Sequence, residues 1–187
     1  MFTEIEAKLK VESFEEVVSK LEENNGLFEA EQLQNDHYFD DHDRTLTKTD
    51  NCLRIRQQVS QGRETIFLTY KGPKAATSLK QRDEIQIKID DFEAGMKMLE
   101  SLGYERVLFF QKRRQLWLLG PCRVSLDELP VIGTFVEIEG PGEEEIHVVQ
   151  GRLGLSGASH IAKSYAEMIC EAASLEGLGL TEFYIEP

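Results

Sequence analysis

Apolar and charged residues alternate with a period of two along much of this chain. The run Glu4-Ile5-Glu6-Ala7-Lys8-Leu9-Lys10-Val11 puts Glu4, Glu6, Lys8 and Lys10 on one face of a strand and apolar side chains on the other. A lone amphipathic strand of this kind is ordinary, but the pattern recurs. Leu53-Arg54-Ile55-Arg56 aims two arginines to one side, and Arg82, Glu84, Gln86 and Lys88 alternate with Asp83, Ile85, Ile87 and Ile89. Lys112 and Arg114 follow, then Arg123, Ser125 and Asp127 set against Cys122, Val124 and Leu126, and finally Glu137 and Glu139 flanking Ile138. Solvated outer faces would not demand both charge signs on nearly every strand. A closed sheet with its polar side chains inside would gather them into one cavity and leave apolar outer faces for helices to cover.

Helical spacing supplies the covers. Ser13-Phe14-Glu15-Glu16 reads as a capping box, with Phe14, Val17, Val18 and Leu21 following before Gly26 stops the segment. Val11-Glu12-Ser13-Phe14-Glu15 and Lys20-Leu21-Glu22 are echoed by Ile89-Asp90-Asp91-Phe92-Glu93 and Met98-Leu99-Glu100, each after an alternating strand. This predicts an internal strand-helix-strand-strand duplication in which Glu6 corresponds to Glu84 and two similar halves meet about a pseudo-twofold axis. Ser164-Tyr165-Ala166-Glu167-Met168-Ile169 reads as a further helix start whose Tyr165, Met168 and Ile169 pack on the sheet.

Composition narrows the function. The 187 residues, 41% hydrophobic and without a linker or low-complexity run, predict one domain spanning 1–187. A net charge of −13 argues against a nucleic-acid partner. Acids crowd the helical and loop segments, including Glu12 to Glu23 and Glu143 to Glu145, while Arg and Lys sit on the strands; this predicts an acidic exterior around a basic interior. Cys52, Cys122 and Cys170 form no Cys-x-x-Cys pair, so neither a disulfide framework nor a structural zinc site is expected. With no apolar signal core at the N-terminus and no membrane-length apolar run, the expected location is cytoplasmic, with no membrane partner. His37, His42, His147 and His160 lack metal-binding spacing, and both the Gly-x-x-x-x-Gly-Lys loop and the Gly-x-Gly-x-x-Gly turn are absent. Gly154-Leu155-Ser156-Gly157-Ala158 falls short of a nucleophile elbow, since Ala158 stands where the closing glycine belongs. Any phosphate must therefore be held by side chains.

Taken in order, the Glu4-x-Glu6-x-Lys8 opening, Leu53-Arg54-Ile55-Arg56, Tyr70-Lys71-Gly72-Pro73, Lys112-Arg113-Arg114, Val124-Ser125-Leu126-Asp127 and Phe135-Val136-Glu137-Ile138-Glu139 resemble the CYTH superfamily, the triphosphate tunnel metalloenzymes. The resemblance runs from about residue 2 to Lys163-Ser164-Tyr165. Asn35-Asp36-His37-Tyr38-Phe39-Asp40, the Lys-Gly-Pro turn and the Gly133-Thr134-Phe135 approach to Glu137 look most like class IV adenylyl cyclases. The resemblance implies an α+β fold: a closed eight-stranded antiparallel β-barrel with a polar lumen and helices packed outside.

It also implies roles. Glu4, Glu6, Asp127, Glu137 and Glu139 would bind Mg²⁺ or Mn²⁺, and Lys8, Lys10, Arg54, Arg56, Lys71, Arg82, Lys112 and Arg114 would grip a triphosphate. Lys8, Lys112 and Arg114 would take the catalytic parts, and Lys163 is expected at one tunnel mouth. Gln86 departs from relatives that carry a second acid there. The implied reaction is conversion of ATP to cyclic AMP and pyrophosphate. A triphosphatase acting on inorganic, nucleoside or thiamine triphosphate, and a non-catalytic polyphosphate or nucleotide sensor, use the same residues and stay open. Cyclase-like relatives are often dimeric, which leaves a homodimer open; the sequence itself does not give the oligomeric state.

Overall fold

The computed structural model of the chain describes residues 2–75, 79–175, 177 and 181–185. Strands β1 (Phe2–Val11), β2 (Leu27–Asp40), β3 (Cys52–Ser60), β4 (Arg63–Lys71), β5 (Lys80–Ile89), β6 (Glu105–Leu119), β7 (Cys122–Leu129) and β8 (Gly133–Glu139) pair antiparallel in the order β2-β3-β4-β5-β1-β8-β7-β6. The β2–β6 pairing closes the ring, so the expected eight-stranded barrel is formed. A two-residue strand β9 (Glu182–Phe183) lies parallel to β6 where β7 does not reach, with Phe109 and Phe110 opposite it.

Helix α1 (Glu15–Glu23) joins β1 to β2, and α3 (Phe92–Ser101) joins β5 to β6. β1 pairs with β5, as does β2 with β6, each antiparallel. Corresponding elements of the two repeats thus face each other, as a two-fold arrangement requires. The short α2 (Thr45–Lys48) interrupts the β2–β3 connection and has no counterpart between β6 and β7. Asp91 caps α3 by accepting from the Ala94 N–H at 3.0 Å. The expected box at Ser13 is not formed: Phe14 is the N-cap of α1 and supplies no side-chain cap, and the Ser13 hydroxyl bonds the Glu15 carboxylate instead. Gly26 does end α1. Its N–H donates to the Leu21 carbonyl at 2.7 Å, and a Cβ there would lie 2.9 Å from that oxygen.

The odd-numbered apolar face of β1, with Leu9, joins Val124, Leu126, Val136 and Ile138 under α1 and α4 (Glu143–Arg152). On the opposite wall Phe39, Ile55 and Ile66 pack against Phe92, Met96 and Leu99 of α3. The third cluster lies elsewhere. Leu108 and Phe110 precede Lys112 at two-residue steps, and Phe135 precedes Glu137, so they line the lumen; α5 (Tyr165–Leu175) covers them with Tyr165, Ile169 and Ala173. This last helix is a plug in one end of the barrel, whereas α1, α3 and α4 are outer covers. Its start is a reciprocal capping box: the Ser164 hydroxyl accepts from the Glu167 N–H at 3.2 Å, and the Glu167 carboxylate accepts from the Ser164 N–H at 2.6 Å. Among the described residues no helix is long and apolar enough to cross a membrane.

Candidate active site

The lumen and its plugged end form one cavity of about 630 Å³. Among the described residues its wall carries nine cationic side chains and nine carboxylates. Alternation on the strands explains how they meet, because each inward position of one strand stands beside an inward position of the next. Glu4 is opposite Arg82, Glu6 opposite Lys80, and Lys8 opposite Glu137.

Three groups of ion pairs fill the wall. In the first, Arg56 binds both oxygens of Asp36, at 2.5 and 2.7 Å, while Arg54 approaches at 3.5 Å. Burial alone would raise the Asp36 carboxyl, but Arg56 and Arg54 hold it well below the usual carboxylate range. In the second, Lys71 bridges Glu4 at 2.6 Å and Glu84 at 2.7 Å, and Lys80 reaches Glu6 at 2.6 Å. Arg82 donates to the Gly72 carbonyl at 2.6 Å and to the Asp50 carbonyl, fastening the β4–β5 and α2–β3 connections to the rim.

The third group surrounds Tyr165. Arg114 forks onto Asp127 and reaches Glu137, Lys112 lies 3.5 Å from Asp127, and the Tyr165 hydroxyl donates to Asp127 at 2.9 Å. Lys8 lies 3.3 Å from Glu137 and 3.7 Å from Glu6, donates to the Lys163 carbonyl at 3.0 Å, and sits 4.2 Å from the centre of the Tyr165 ring. Burial, then the Arg114 charge, pushes the Lys112 ammonium down to about 7. Burial, then Lys80, also lowers Lys8. The Lys112 amine is thereby brought to the range where it exchanges protons near neutrality.

Most expected residues meet here: Glu4, Glu6, Lys8, Arg54, Arg56, Lys71, Arg82, Lys112, Arg114 and Glu137 all line the cavity. Glu139 flanks them, opposite Glu6 in the β1–β8 register. Two expected residues, Lys10 and Asp127, are not among the lining residues. Lys10 is exposed beyond the plug and donates to the Ile132 carbonyl at 2.6 Å, so it cannot reach a ligand beside Lys8. Asp127 is fully buried; Arg114, Lys112 and Tyr165 contact its oxygens, so in this structure it anchors cations. Lys163 contributes through its carbonyl, since its ammonium pairs with Glu171 at 2.6 Å in solvent.

Sequence reasoning missed Asp36, Lys80 and Tyr165 as site residues. Asp36 shares the inward register of Gln32 and Gln34 on β2, and Lys80 begins the alternation continued by Arg82. Both were legible in principle. Tyr165 was not, because a helical residue packed on apolar neighbours gives no sign of entering a lumen.

The carboxylates themselves show whether a divalent cation suits this wall. The Glu139 carboxyl is raised by burial, then by Glu4 and Glu6. Carboxylates that disfavour one another's charge form a hard-oxygen donor set that a divalent cation would relieve. Among the described residues no three Asp, Glu, His or Cys side chains stand together so as to hold a metal ion, and those of Glu4, Glu6 and Glu137 are engaged with lysine and arginine instead.

The CYTH domain model matches residues 3–165. The protein MJ0240 of Methanocaldococcus jannaschii, provisionally named an adenylate cyclase, is 32% identical over 174 residues, covering 88% of this chain and 97% of that protein. The adenylate cyclase CyaB of Aeromonas hydrophila is 32% identical over 147 residues, covering 74% of this chain and 72% of its own length. The solved structure of the PH1819 protein from Pyrococcus horikoshii superposes with a TM-score of 0.79 at 30% identity, covering 90% of this chain and 98% of that one.

Proposed function

Because the chain belongs to the CYTH domain family, we propose that it is a metal-dependent enzyme processing a triphosphate, specifically an adenylyl cyclase that converts ATP to cyclic AMP and pyrophosphate. The single observation that carries the reading is the balance of the cavity wall, with nine cations against nine carboxylates and most of them already joined in ion pairs. A triphosphate, with about four negative charges, enters such a wall only by taking the cations from their carboxylates. The carboxylates released on that exchange, Glu4, Glu6 and Glu137, then need a cation of their own, with Glu139 opposite Glu6 in the register. Mg²⁺ or Mn²⁺ on those four side chains would supply Lewis-acid neutralisation of phosphate charge. A site for anions alone would not keep as many acids as bases in its wall. The names of the two adenylate cyclase relatives favour cyclisation over hydrolysis.

In the proposed reaction the ribose 3′ hydroxyl gives up its proton to water and its oxygen bonds to the α-phosphorus as the bond from that phosphorus to the pyrophosphate oxygen breaks. Arg54, Arg56, Lys71 and Arg82 orient the phosphates, and Lys112 and Arg114 take up the charge that develops on the leaving group. Asp127 and Tyr165 hold those two cations in place. The unit proposed to do this is one domain, 1–187.

Hydrolysis of an inorganic, nucleoside or thiamine triphosphate is the second reading, and Lys8 favours it. Its amine, drawn down by burial and 3.3 Å from Glu137, is placed to accept a proton from an attacking water. Product identity separates the readings. The protein is incubated with ATP, and separately with tripolyphosphate, in Mg²⁺ or Mn²⁺, with Glu6→Ala as control and products resolved by chromatography. Cyclic AMP with pyrophosphate, lost in the control, is the expected result. Phosphate release establishes the triphosphatase, and tight binding without turnover leaves a sensor.

A further inference from the structure

Nine cations line the cavity, and eight have a carboxylate within ion-pair distance; among the described residues the ninth, Arg44, has none. Arg54 shares Asp36 with Arg56, so even the less tightly held arginine is engaged. Arg44 stands at the exposed mouth, on the connection between β2 and α2. Its backbone is left-handed, at φ 57 and ψ 41. An arginine adopts that conformation at an energetic disadvantage, with neither the freedom of glycine nor the local hydrogen bonding of asparagine. A strained backbone thus carries an unpaired guanidinium on the cavity wall.

The neighbouring wall indicates what that guanidinium meets. Val107, Leu108, Ala166 and Cys170 give the cavity wall an uncharged part, and of these Cys170 feels the Arg44 charge. The nearby polar side chains are engaged within the protein: the Thr47 hydroxyl donates to Asp40 at 2.6 Å, and Asn51 accepts from Tyr70 at 3.0 Å. Asp40, Asp50, Glu167 and Glu171 also lie on this side and would repel phosphate. The deeper strand positions hold the paired cations that a triphosphate could recruit. A flat, uncharged, π-rich group fits the mouth, and a guanidinium plane is suited to stack on it.

We propose that Arg44 holds the base of a nucleoside triphosphate at the mouth, with the phosphates running inward toward Arg54, Arg56, Lys112 and Arg114. This assignment rests on the triphosphate reading above and adds that the organic end of the substrate is recognised. It makes the substrate a nucleoside triphosphate in preference to an inorganic one.

The test compares two ligands by calorimetry in Mg²⁺: α,β-methylene-ATP, which cannot be cyclised, and tripolyphosphate, checked by chromatography to be intact. Arg44→Ala and Arg44→Gly are each expected to weaken the ATP analogue about tenfold while leaving tripolyphosphate within about twofold, as for loss of one base-stacking partner. Glycine adopts the left-handed backbone freely, so Arg44→Gly should melt at or above the parent temperature and exclude unfolding as the cause. An equal loss for both ligands would make Arg44 a phosphate contact, and no loss for either would make it idle; both results overturn the assignment. If the unaltered protein binds neither ligand, the triphosphate reading itself falls and the assignment falls with it.

Discussion

Asp36 has none of its surface exposed, and Arg56 spans both its oxygens. Removing one member of such a pair leaves a buried uncompensated charge, so Asp36→Ala is expected to lower unfolding stability by about 3–5 kcal/mol. Asp36→Ala combined with Arg56→Leu should recover part of that loss. Urea titrations of the single and double variants measure both effects, and strict additivity would show that the pair is not coupled. Lys112 gives a pH signature of opposite origin. Its ammonium titrates at about 7 when folded, against 10.5 for the free side chain, so the unfolded chain binds more protons between those values. Stability contributed by this group therefore rises with pH across that window. In Lys112→Met the slope of stability against pH should flatten there; an unchanged slope would assign the effect to another group.

Among the elements, α5 differs most from what the sequence implied. Period-two alternation made the barrel strands legible, since an inward face bearing both charge signs has few other uses, and the echo of β1–α1 in β5–α3 gave the two halves. Periodicity told which face of a segment is apolar, not which apolar surface it would meet. Tyr165, Met168 and Ile169 were correctly read as packing residues, yet the surface they cover is the lumen end, next to Phe135 and Phe110. The same limit applies to Lys10 and Asp127. Their strand parity is that of the site, but Lys10 lies past the plug and Asp127 behind Arg114, so depth along the lumen decided what alternation could not. Ile169→Ala, at a fully buried position, should cost about 2–5 kcal/mol in denaturant unfolding. It should also speed amide exchange on α5 before that on the barrel strands. Uniform acceleration would mean that the plug and barrel open as one unit.

Across the whole molecule, the ion-pair wall couples any two ligands of opposite charge. A triphosphate frees carboxylates and a divalent cation frees ammonium groups, so each prepares the place of the other. Thermal melting with Mg²⁺ alone, tripolyphosphate alone and both together should show a joint shift exceeding the sum of the separate ones, after the metal–phosphate complex in solution is accounted for. A merely additive shift would mean that the pairs do not exchange partners. The order in which the wall is assembled follows from the ring itself. β1 precedes the other strands of the ring, yet Lys8 meets Glu137 only when β8 is complete, and Tyr165 arrives later still. Glu4 and Glu6 gain Lys71 and Lys80 once β4 and β5 are made, whereas Lys8 waits for Glu137, and no fragment of this chain ending before β8 can hold a closed lumen. A chain cut before β8 should therefore offer a ligand no closed ring to enter.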